Sequence, residues 1–229
     1  MPNPNHIAVI PDGNRRWARK KGMRVVLGHK KGAETFETIL KVAFDEKIPY
    51  LTIWGSSVGN VTKRSPAEVR FLFGVFKNYF AKLRKDKRLH TEEVRVRILG
   101  KWRKYFPAAL RDEMERLIAE TKQHKRYNLT FLMAYSGVED MEQAVKSLAS
   151  GKKKVSAASI KESLWTAELP AVDLVIRTGG EPHWSQGFMM WDVAESQLVF
   201  TETLWPDFSE KEFLHILARY RDTERRLGA

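Results

Sequence analysis

Short β-branched segments alternate with longer amphipathic segments along most of this 229-residue chain. The strand candidates cover residues 6–10, 50–57, 93–100, 127–135 and 172–178, and segments of helical periodicity cover 28–46, 65–85, 107–123 and 138–148. Parallel strands need a crossover of about a dozen residues, usually a helix, so this alternation fits a parallel arrangement. The sequence therefore predicts an α/β fold with a mostly parallel central sheet flanked by helices.

The length and apolar content are consistent with one domain. Hydrophobic residues make up 43% of the sequence, which is enough for one sizeable core. The lysine- and serine-rich segment 150–159 has the composition of an exposed connection and does not mark a domain boundary. We therefore expect residues 1–229 to form a single domain.

The chain is strongly basic and has no cysteine. Forty lysines and arginines against 28 acidic residues give a formal net charge of +12, which favours an anionic partner such as a nucleic acid, a phosphorylated metabolite or a membrane surface. The absence of cysteine excludes disulfides and thiolate metal sites. Because neither a signal peptide nor a run of eighteen apolar residues is evident, we expect a cytoplasmic, soluble protein.

A turn and a basic segment follow the first predicted strand, in the sequence IPDGNRRWARKKG. Backbone N–H groups at such a strand end face outward at the carboxyl edge of the sheet, where Gly13 permits the close approach of an anion. Arg15 and Arg16 add donors suited to a phosphate, and Asp12 lies where the apolar run stops. A plain turn followed by a solvated basic helix is the alternative interpretation.

Two further loops have the same character. GSSVGNVTKRS follows the second predicted strand and IRTGGEPHWS follows the fifth, and each combines glycine, hydroxyl side chains and an arginine. The carboxyl ends of parallel strands meet at one edge of a sheet, so the three loops predict a common phosphate site. The basic residues lack the aromatic signature of RNA-binding modules, so we expect no nucleic-acid partner.

Four motifs stand out in the sequence: HIAVIPDGNRRWARKKG with GHKKGAETF, then VDLVIRTGGE and LVFTETLWPDF. They closely resemble the cis-prenyltransferases, the undecaprenyl diphosphate synthase family, and the resemblance continues into RYRDTERRLG. It implies a single α/β domain, a homodimer, and a reaction that joins isopentenyl diphosphate to an allylic prenyl diphosphate. The lipid substrate and product would also permit peripheral association with a membrane.

The resemblance also assigns site residues. It implies that Asp12 handles the pyrophosphate and binds Mg²⁺, and that Asn60 helps to remove the proton after carbon–carbon bond formation. The implied substrate-binding residues are Gly13, Asn14, Arg15, Arg16, Trp17, Arg24, His29, Ser57, Arg64, Arg177, His183 and Ser185. For Asn60 a role as a loop cap, and for Trp17 simple core packing, are the alternatives.

The sequence departs from the family pattern mainly where the second substrate would bind. Gly59 stands in place of a glutamate, and His183 with Trp184 replaces an arginine before Ser185. Gln197 stands in place of the glutamate that completes the family metal site. These changes predict a weakened Mg²⁺ site and an altered acceptor site.

Three functions remain open at this point. The first is prenyl transfer to an altered acceptor, either a second prenyl diphosphate in a non-head-to-tail coupling or a nucleophile without a diphosphate. The second is ordinary chain elongation, and the third is a catalytically silent partner subunit. In each active case the stripe formed by Phe73, Phe76 and Phe80 would line a tunnel for the hydrocarbon chain, unless it is only core packing.

Overall fold

A six-stranded parallel sheet forms the centre of the protein. The computed structural model describes residues 3–151 and 154–223. The strands are β1 (His6–Ile10), β2 (Tyr50–Trp54), β3 (Val94–Leu99), β4 (Tyr127–Leu132), β5 (Leu174–Arg177) and β6 (Gln197–Phe200). They lie in the order β3-β4-β2-β1-β5-β6, and every neighbouring pair is parallel. The predicted α/β fold with a parallel central sheet is confirmed.

Helices connect these strands and cover both faces of the sheet. They are α1 (Asn14–Lys20), α2 (Val25–Asp45), α3 (Val58–Thr62), α4 (Pro66–Arg84), α5 (Lys87–Thr91), α6 (Trp102–Tyr105), α7 (Ala108–Thr121), α8 (Gly137–Ser150), α9 (Ala157–Ser163) and α10 (Glu210–Asp222), with a 3₁₀ turn at Trp205–Asp207. None of the described helices is long and apolar enough to cross a lipid bilayer.

The sheet separates two hydrophobic cores. Successive residues of a strand point to opposite faces, so Ile7 and Val9 of β1 join one core while Ala8 and Ile10 join the other. The larger core packs against α2, α4, α7 and α10, and the smaller one lies under the segment that follows β5. Because β1 is buried on both faces, all five of its residues are buried, which explains the apolar run Ile7–Ile10 that follows His6.

The structure corrects the predicted strands in two ways. The expected strands 50–57 and 127–135 end at residues 54 and 132, and the three residues after each strand belong to loops. The edge strand β6 was not predicted, because it has only four residues and its Leu198 and Phe200 are exposed. Within the expected connection 150–159, α9 begins at Ala157, residues 152 and 153 lie outside the described residues, and so does the end of RYRDTERRLG from residue 224.

A buried histidine anchors the start of β1. The Nε2 atom of His6 is 2.8 Å from Oγ1 of Thr52, and its Nδ1 atom is 2.9 Å from the carbonyl oxygen of Pro170. Burial lowers the pKa of His6 from 6.5 to about 4. The imidazole is therefore neutral in the folded protein at neutral pH.

We expect His6→Gln to cost less stability at pH 5 than at pH 7.5. Between pH 6.5 and 4 the unfolded chain binds a proton at His6 that the folded chain excludes, so the stability contributed by neutral His6 is lost as the pH falls through this window. The difference in unfolding free energy between wild type and variant should shrink by about 2 kcal/mol from pH 7.5 to 5. Urea titrations at both pH values measure it.

The comparison with the variant is needed because other groups titrate in the same range. Burial raises the pKa of Asp140 to about 6, and this carboxyl group acts in the opposite direction. Asp140 is present in both proteins, so its contribution cancels in the difference. A difference that stays constant with pH would contradict the neutral state of His6.

Candidate functional site

The carboxyl ends of β1, β2 and β5 open into a cavity of about 390 Å³. Its lining consists of Ile10, Pro11, Asp12, Gly13, Asn14, Arg15, Arg16, Arg19, His29, Trp54, Gly55, Ser56, Ser57, Asn60, Arg64, Leu72, Arg177, Ser185 and Gln186. Five of these described residues are arginines, and one, Asp12, is a carboxylate. The three loops singled out in the sequence therefore meet at one cationic cavity.

The loop after β1 is held in place by close packing of backbone against glycine. Gly13 precedes α1 in a left-handed conformation with φ of 109°. A β-carbon at Gly28 of α2 would lie 2.1 Å from the carbonyl oxygen of Asn14, and one at Gly32 would lie 2.2 Å from the Oδ1 atom of Asn14. Both glycines therefore let α2 approach the loop, and this contact fixes the first turn of α1.

The carboxylate of Asp12 lies between two guanidinium groups. Nη2 of Arg177 donates to its Oδ2 atom at 3.0 Å, and Nη2 of Arg16 lies 3.3 Å from its Oδ1 atom. The Asp12 backbone carbonyl accepts hydrogen bonds from the hydroxyl of Thr178 at 2.8 Å and from the N–H of Trp205 at 2.9 Å. The loop therefore presents a rigid carboxylate in a positively charged surrounding.

Arg177 connects this carboxylate to the segment after β5. Only 4% of the Arg177 side chain is exposed, and its Nη1 atom donates to the carbonyl oxygen of His183 at 2.9 Å and to Oγ of Ser185 at 2.6 Å. Glu181 lies 3.2 Å from Arg16 and 3.6 Å from Arg177. Arg177 therefore organises one end of the cavity through contacts with backbone, hydroxyl and carboxylate groups.

Glu68, which was not predicted as a site residue, contacts three basic groups at the other end of the cavity. Oε1 of Glu68 lies 3.1 Å from Nη1 of Arg64, 3.5 Å from Nε of Arg15 and 3.6 Å from Nε2 of His29. Glu68 lies on the first turn of α4, four residues after Arg64. This i,i+4 spacing was the one sequence signal for the contact between them.

Burial, together with the positive charge of this cluster, lowers the pKa of His29. Burial, and then the charge of Arg64, brings the pKa of His29 from 6.5 to about 4, although Glu68 opposes the change. Burial likewise lowers the pKa of Arg64, which stays charged at neutral pH. His29 is therefore neutral at neutral pH.

Ser57 and Asn60 both line the cavity and cap α3. The Asn60 N–H donates to Oγ of Ser57, and the Ser57 N–H donates to Oδ1 of Asn60, both at 3.1 Å. This reciprocal pair is a capping box, so the structure shows the capping role that was the alternative interpretation of Asn60. The pair orients the Asn60 carboxamide at the cavity wall.

Three of the expected substrate-binding residues lie outside the cavity lining. Trp17 is buried behind the loop, where its Nε1 atom donates to Oδ1 of Asp207 at 2.7 Å. Arg24 is exposed at the start of α2, and the His183 side chain is 57% exposed beside Ser185. Trp17 therefore has the packing role that was the alternative for it.

The described residues provide a single carboxylate in the cavity lining, Asp12, for a metal. Among the described residues, no group of three or more histidine, aspartate or glutamate side chains is arranged to hold a metal ion. Mg²⁺ is commonly bound by one or two carboxylates together with substrate phosphates and water, so Asp12 fits as its protein ligand once a diphosphate is present.

The position of Gln197 does not support its predicted effect on this metal site. Gln197 opens β6 and pairs with Leu174, three residues before the pair formed by Phe200 and Arg177. At about 3.3 Å per residue, Gln197 lies roughly 10 Å along the strand from the cavity edge. Within one chain Gln197 therefore does not adjoin Asp12, and a weakening of the metal site by Gln197 stays a prediction.

An apolar channel of about 100 Å³ continues from the cavity between α2 and α4. It shares Pro11, Asn14, His29, Gly55 and Leu72 with the cavity, and its further lining includes Phe36, Ile53, Val75, Phe76, Tyr79, Phe80, Phe131, Met133 and Trp205. Phe73 is not part of this lining and packs against Phe106, with 4.9 Å between ring centroids. Two of the three predicted tunnel phenylalanines therefore face the channel.

Comparisons with known proteins agree with this architecture. The family model described as "Putative undecaprenyl diphosphate synthase" matches residues 10–228. The isoprenyl transferase of Heliobacterium mobile is 38% identical, and the tritrans,polycis-undecaprenyl-diphosphate synthase (geranylgeranyl-diphosphate specific) of Pyrococcus horikoshii is 36% identical; each match covers 98% of this chain and 87% of the relative.

A solved structure matches over nearly the whole chain. It is the crystal structure of lavandulyl diphosphate synthase from Lavandula x intermedia in complex with dimethylallyl diphosphate. The two structures superpose with a TM-score of 0.93 at 30% sequence identity, and the match covers 99% of each chain.

Proposed function

Because this chain belongs to the undecaprenyl diphosphate synthase family and is thus a prenyltransferase, we propose that it extends an allylic prenyl diphosphate with isopentenyl diphosphate. One observation carries the proposal: the cationic cavity around Asp12 opens directly into an apolar channel. A prenyl diphosphate has the matching shape, with an anionic head and a hydrocarbon tail. The relatives named as undecaprenyl synthases favour repeated addition of isopentenyl units.

The channel distinguishes the two ends of the cavity. Asn14 and His29 line both cavity and channel, so an allylic donor whose tail occupies the channel places its diphosphate beside Arg15, Arg64 and His29. The end formed by Ser57, Asn60, Arg177 and Ser185 is then left for the acceptor. This arrangement would bring the donor carbon and the acceptor double bond together near Asp12.

The reaction begins when the allylic carbon–oxygen bond breaks and negative charge develops on the departing diphosphate. Arg15, Arg16 and Arg64 are placed to stabilise this charge. His29, neutral in the empty site, can accept a proton as the local negative charge grows, and it would then hold an N–H toward the diphosphate. When bound to Asp12, Mg²⁺ would contribute further charge neutralisation.

The acceptor double bond then forms a bond to the allylic carbon, and the carbon beside the resulting cation loses a proton to an oxygen of the released diphosphate. The Asn60 carboxamide, oriented by Ser57, is positioned to hold the acceptor for this step. We further propose that the protein requires Mg²⁺, acts as a homodimer in the cytoplasm, and associates peripherally with membranes through its lipid substrate or product.

A product analysis tests the function. The purified protein is incubated with Mg²⁺ and dimethylallyl, geranyl, farnesyl or geranylgeranyl diphosphate, each with and without isopentenyl diphosphate, and the products are identified by mass. We expect products longer by multiples of five carbons only when isopentenyl diphosphate is present. The Asp12→Ala protein is the control for background turnover.

A second candidate is coupling of two allylic diphosphates in a non-head-to-tail product. It is favoured by the close structural match to lavandulyl diphosphate synthase, and by His183 at the acceptor end in place of the expected arginine. Products formed from dimethylallyl diphosphate alone would establish this candidate over chain elongation. If no combination of substrates gave a product, the silent partner subunit would be favoured. The intact Asp-Gly-Asn loop at residues 12–14 opposes that assignment.

We expect Phe76→Ala to lengthen the product or the preferred donor. Phe76 lines the channel. Removal of its ring opens space for up to about one further isoprenoid unit. Phe73→Ala is the matched control, because Phe73 packs against Phe106 outside the channel lining. Mass analysis of products from both variants decides the assignment: an unchanged length distribution in Phe76→Ala would contradict it.

A further inference from the structure

The side chain of Gln186 lies where two walls of the cavity approach each other. On one wall, its neighbour Ser185 accepts a hydrogen bond from Arg177. On the other wall, a β-carbon at Gly59 would lie 3.8 Å from Nε2 of Gln186 and 3.6 Å from Oγ of Ser57. The Gln186 amide therefore lies beside the first turn of α3, at the end of the cavity opposite the channel.

The backbone of Gln186 is held in an uncommon conformation. Its φ of 49° is in the left-handed region, which glutamine rarely adopts. Its carbonyl oxygen accepts hydrogen bonds from the N–H groups of Gly137 at 3.1 Å and Val138 at 3.4 Å, and from Oγ of Ser136 at 3.4 Å. Three donors at the start of α8 thus maintain a conformation that the residue would otherwise avoid.

The loop that carries the exposed Gln186 packs closely against the start of α8. A β-carbon at Gly137 would lie 1.7 Å from the carbonyl oxygen of Gly187, so α8 and the loop are in direct backbone contact. The direction in which the Gln186 side chain leaves the backbone is therefore fixed. Fixed conformations of this kind at a cavity wall are characteristic of binding residues.

We propose that Gln186 binds the acceptor by donating a hydrogen bond from Nε2 to the acceptor's diphosphate. This inference rests on the proposed function, which assigns the Ser57, Asn60, Arg177 and Ser185 end of the cavity to the acceptor. A neutral amide can donate to a diphosphate oxygen without adding charge to a site already rich in guanidinium groups. A carboxylate in the same place would repel the diphosphate.

The experiment measures the KM for the allylic donor and the KM for isopentenyl diphosphate in each of three variants. Gln186→Glu should raise the KM for isopentenyl diphosphate at least tenfold and change the KM for the allylic donor less than twofold. Gln186→Gly should raise the acceptor KM about threefold to tenfold without lowering the melting temperature, since glycine adopts positive φ freely. Gln123→Glu, the same chemical change on an exposed residue between α7 and β4, should leave both constants unchanged.

A binding measurement separates this inference from the proposed function. Calorimetric titration of isopentenyl diphosphate into each protein, saturated with a non-reactive thio analogue of farnesyl diphosphate, requires no turnover. Weaker binding in both Gln186→Glu and Gln186→Gly, with Gln123→Glu unchanged, supports the role of Gln186 even if the wild type forms no elongated product. Equal effects on donor and acceptor, no effect in either variant, or no binding of isopentenyl diphosphate to the wild type would overturn it.

Discussion

Asp12→Ala is expected to abolish prenyl transfer while leaving the protein folded. Asp12 is the carboxylate of the cavity lining, and it lies between Arg16 and Arg177. Its removal leaves Glu181 as the remaining carboxylate that contacts both guanidinium groups, and it takes away the protein ligand proposed for Mg²⁺. Loss of such a chemical role should lower kcat on the order of a hundredfold or more.

Steady-state kinetics with circular dichroism as a check of folding measures this effect. The Asp12 side chain is 35% exposed and its backbone carbonyl retains both hydrogen bonds in the variant, so the fold should be preserved. Glu34→Ala removes an exposed carboxylate from α2 and should leave the rate unchanged. Activity of Asp12→Ala within about threefold of wild type would remove Asp12 from the mechanism.

Gly28→Ala is expected to destabilise the protein and to inactivate it. The new methyl group would lie 2.1 Å from the carbonyl oxygen of Asn14 and 3.2 Å from the Cβ of Ala18. A backbone carbonyl cannot rotate away, so α1 must move as a unit. Overpacking of this kind costs about 3 kcal/mol, which lowers the melting temperature by roughly 6–12 °C in a protein of this size.

Gly74→Ala is the matched control for this effect. Gly74 lies within α4, and no atom comes within 4 Å of a β-carbon placed there. The substitution should stabilise the helix by about 0.5–1 kcal/mol, because alanine loses less conformational freedom on folding than glycine. Thermal unfolding of both variants is the measurement, and a Gly28→Ala protein as stable as wild type would disprove the tight contact between α1 and α2.

Much of the fold could be predicted from the sequence because parallel strands buried on both faces have continuous apolar runs. β1, β2 and β5 were recognised in this way, and their loops were placed at one edge by topology alone. β6 escaped this reasoning because exposed Leu198 and Phe200 alternate with half-buried residues in a strand of four. A strand this short is specified by its pairing with β5, a long-range contact that local pattern does not encode.

The part of the site formed by loops at the strand ends could be predicted from the sequence. The part formed by side chains on the helices was harder to predict. Glycines, hydroxyls and arginines at strand ends marked the cavity. Glu68 contacts three basic residues of the cavity from α4, and its i,i+4 spacing from Arg64 was the one sequence signal for that contact. The phenylalanine stripe on α4 illustrates the same limit, since helical spacing places Phe73 and Phe76 on one side while only Phe76 faces the channel. Which phenylalanines of the stripe line the channel depends on how the neighbouring helices pack against α4.

The contact of Glu68 with Arg15, His29 and Arg64 has a consequence for the salt dependence of substrate binding. Before substrate binds, the Glu68 carboxylate already neutralises part of the positive charge of these groups. An arriving diphosphate therefore displaces a carboxylate that stays attached to the protein, and it releases fewer ions to the solvent than the number of arginines implies. The affinity for substrate should then fall less steeply with ionic strength than in a Glu68→Gln protein, where mobile anions would take over the neutralisation.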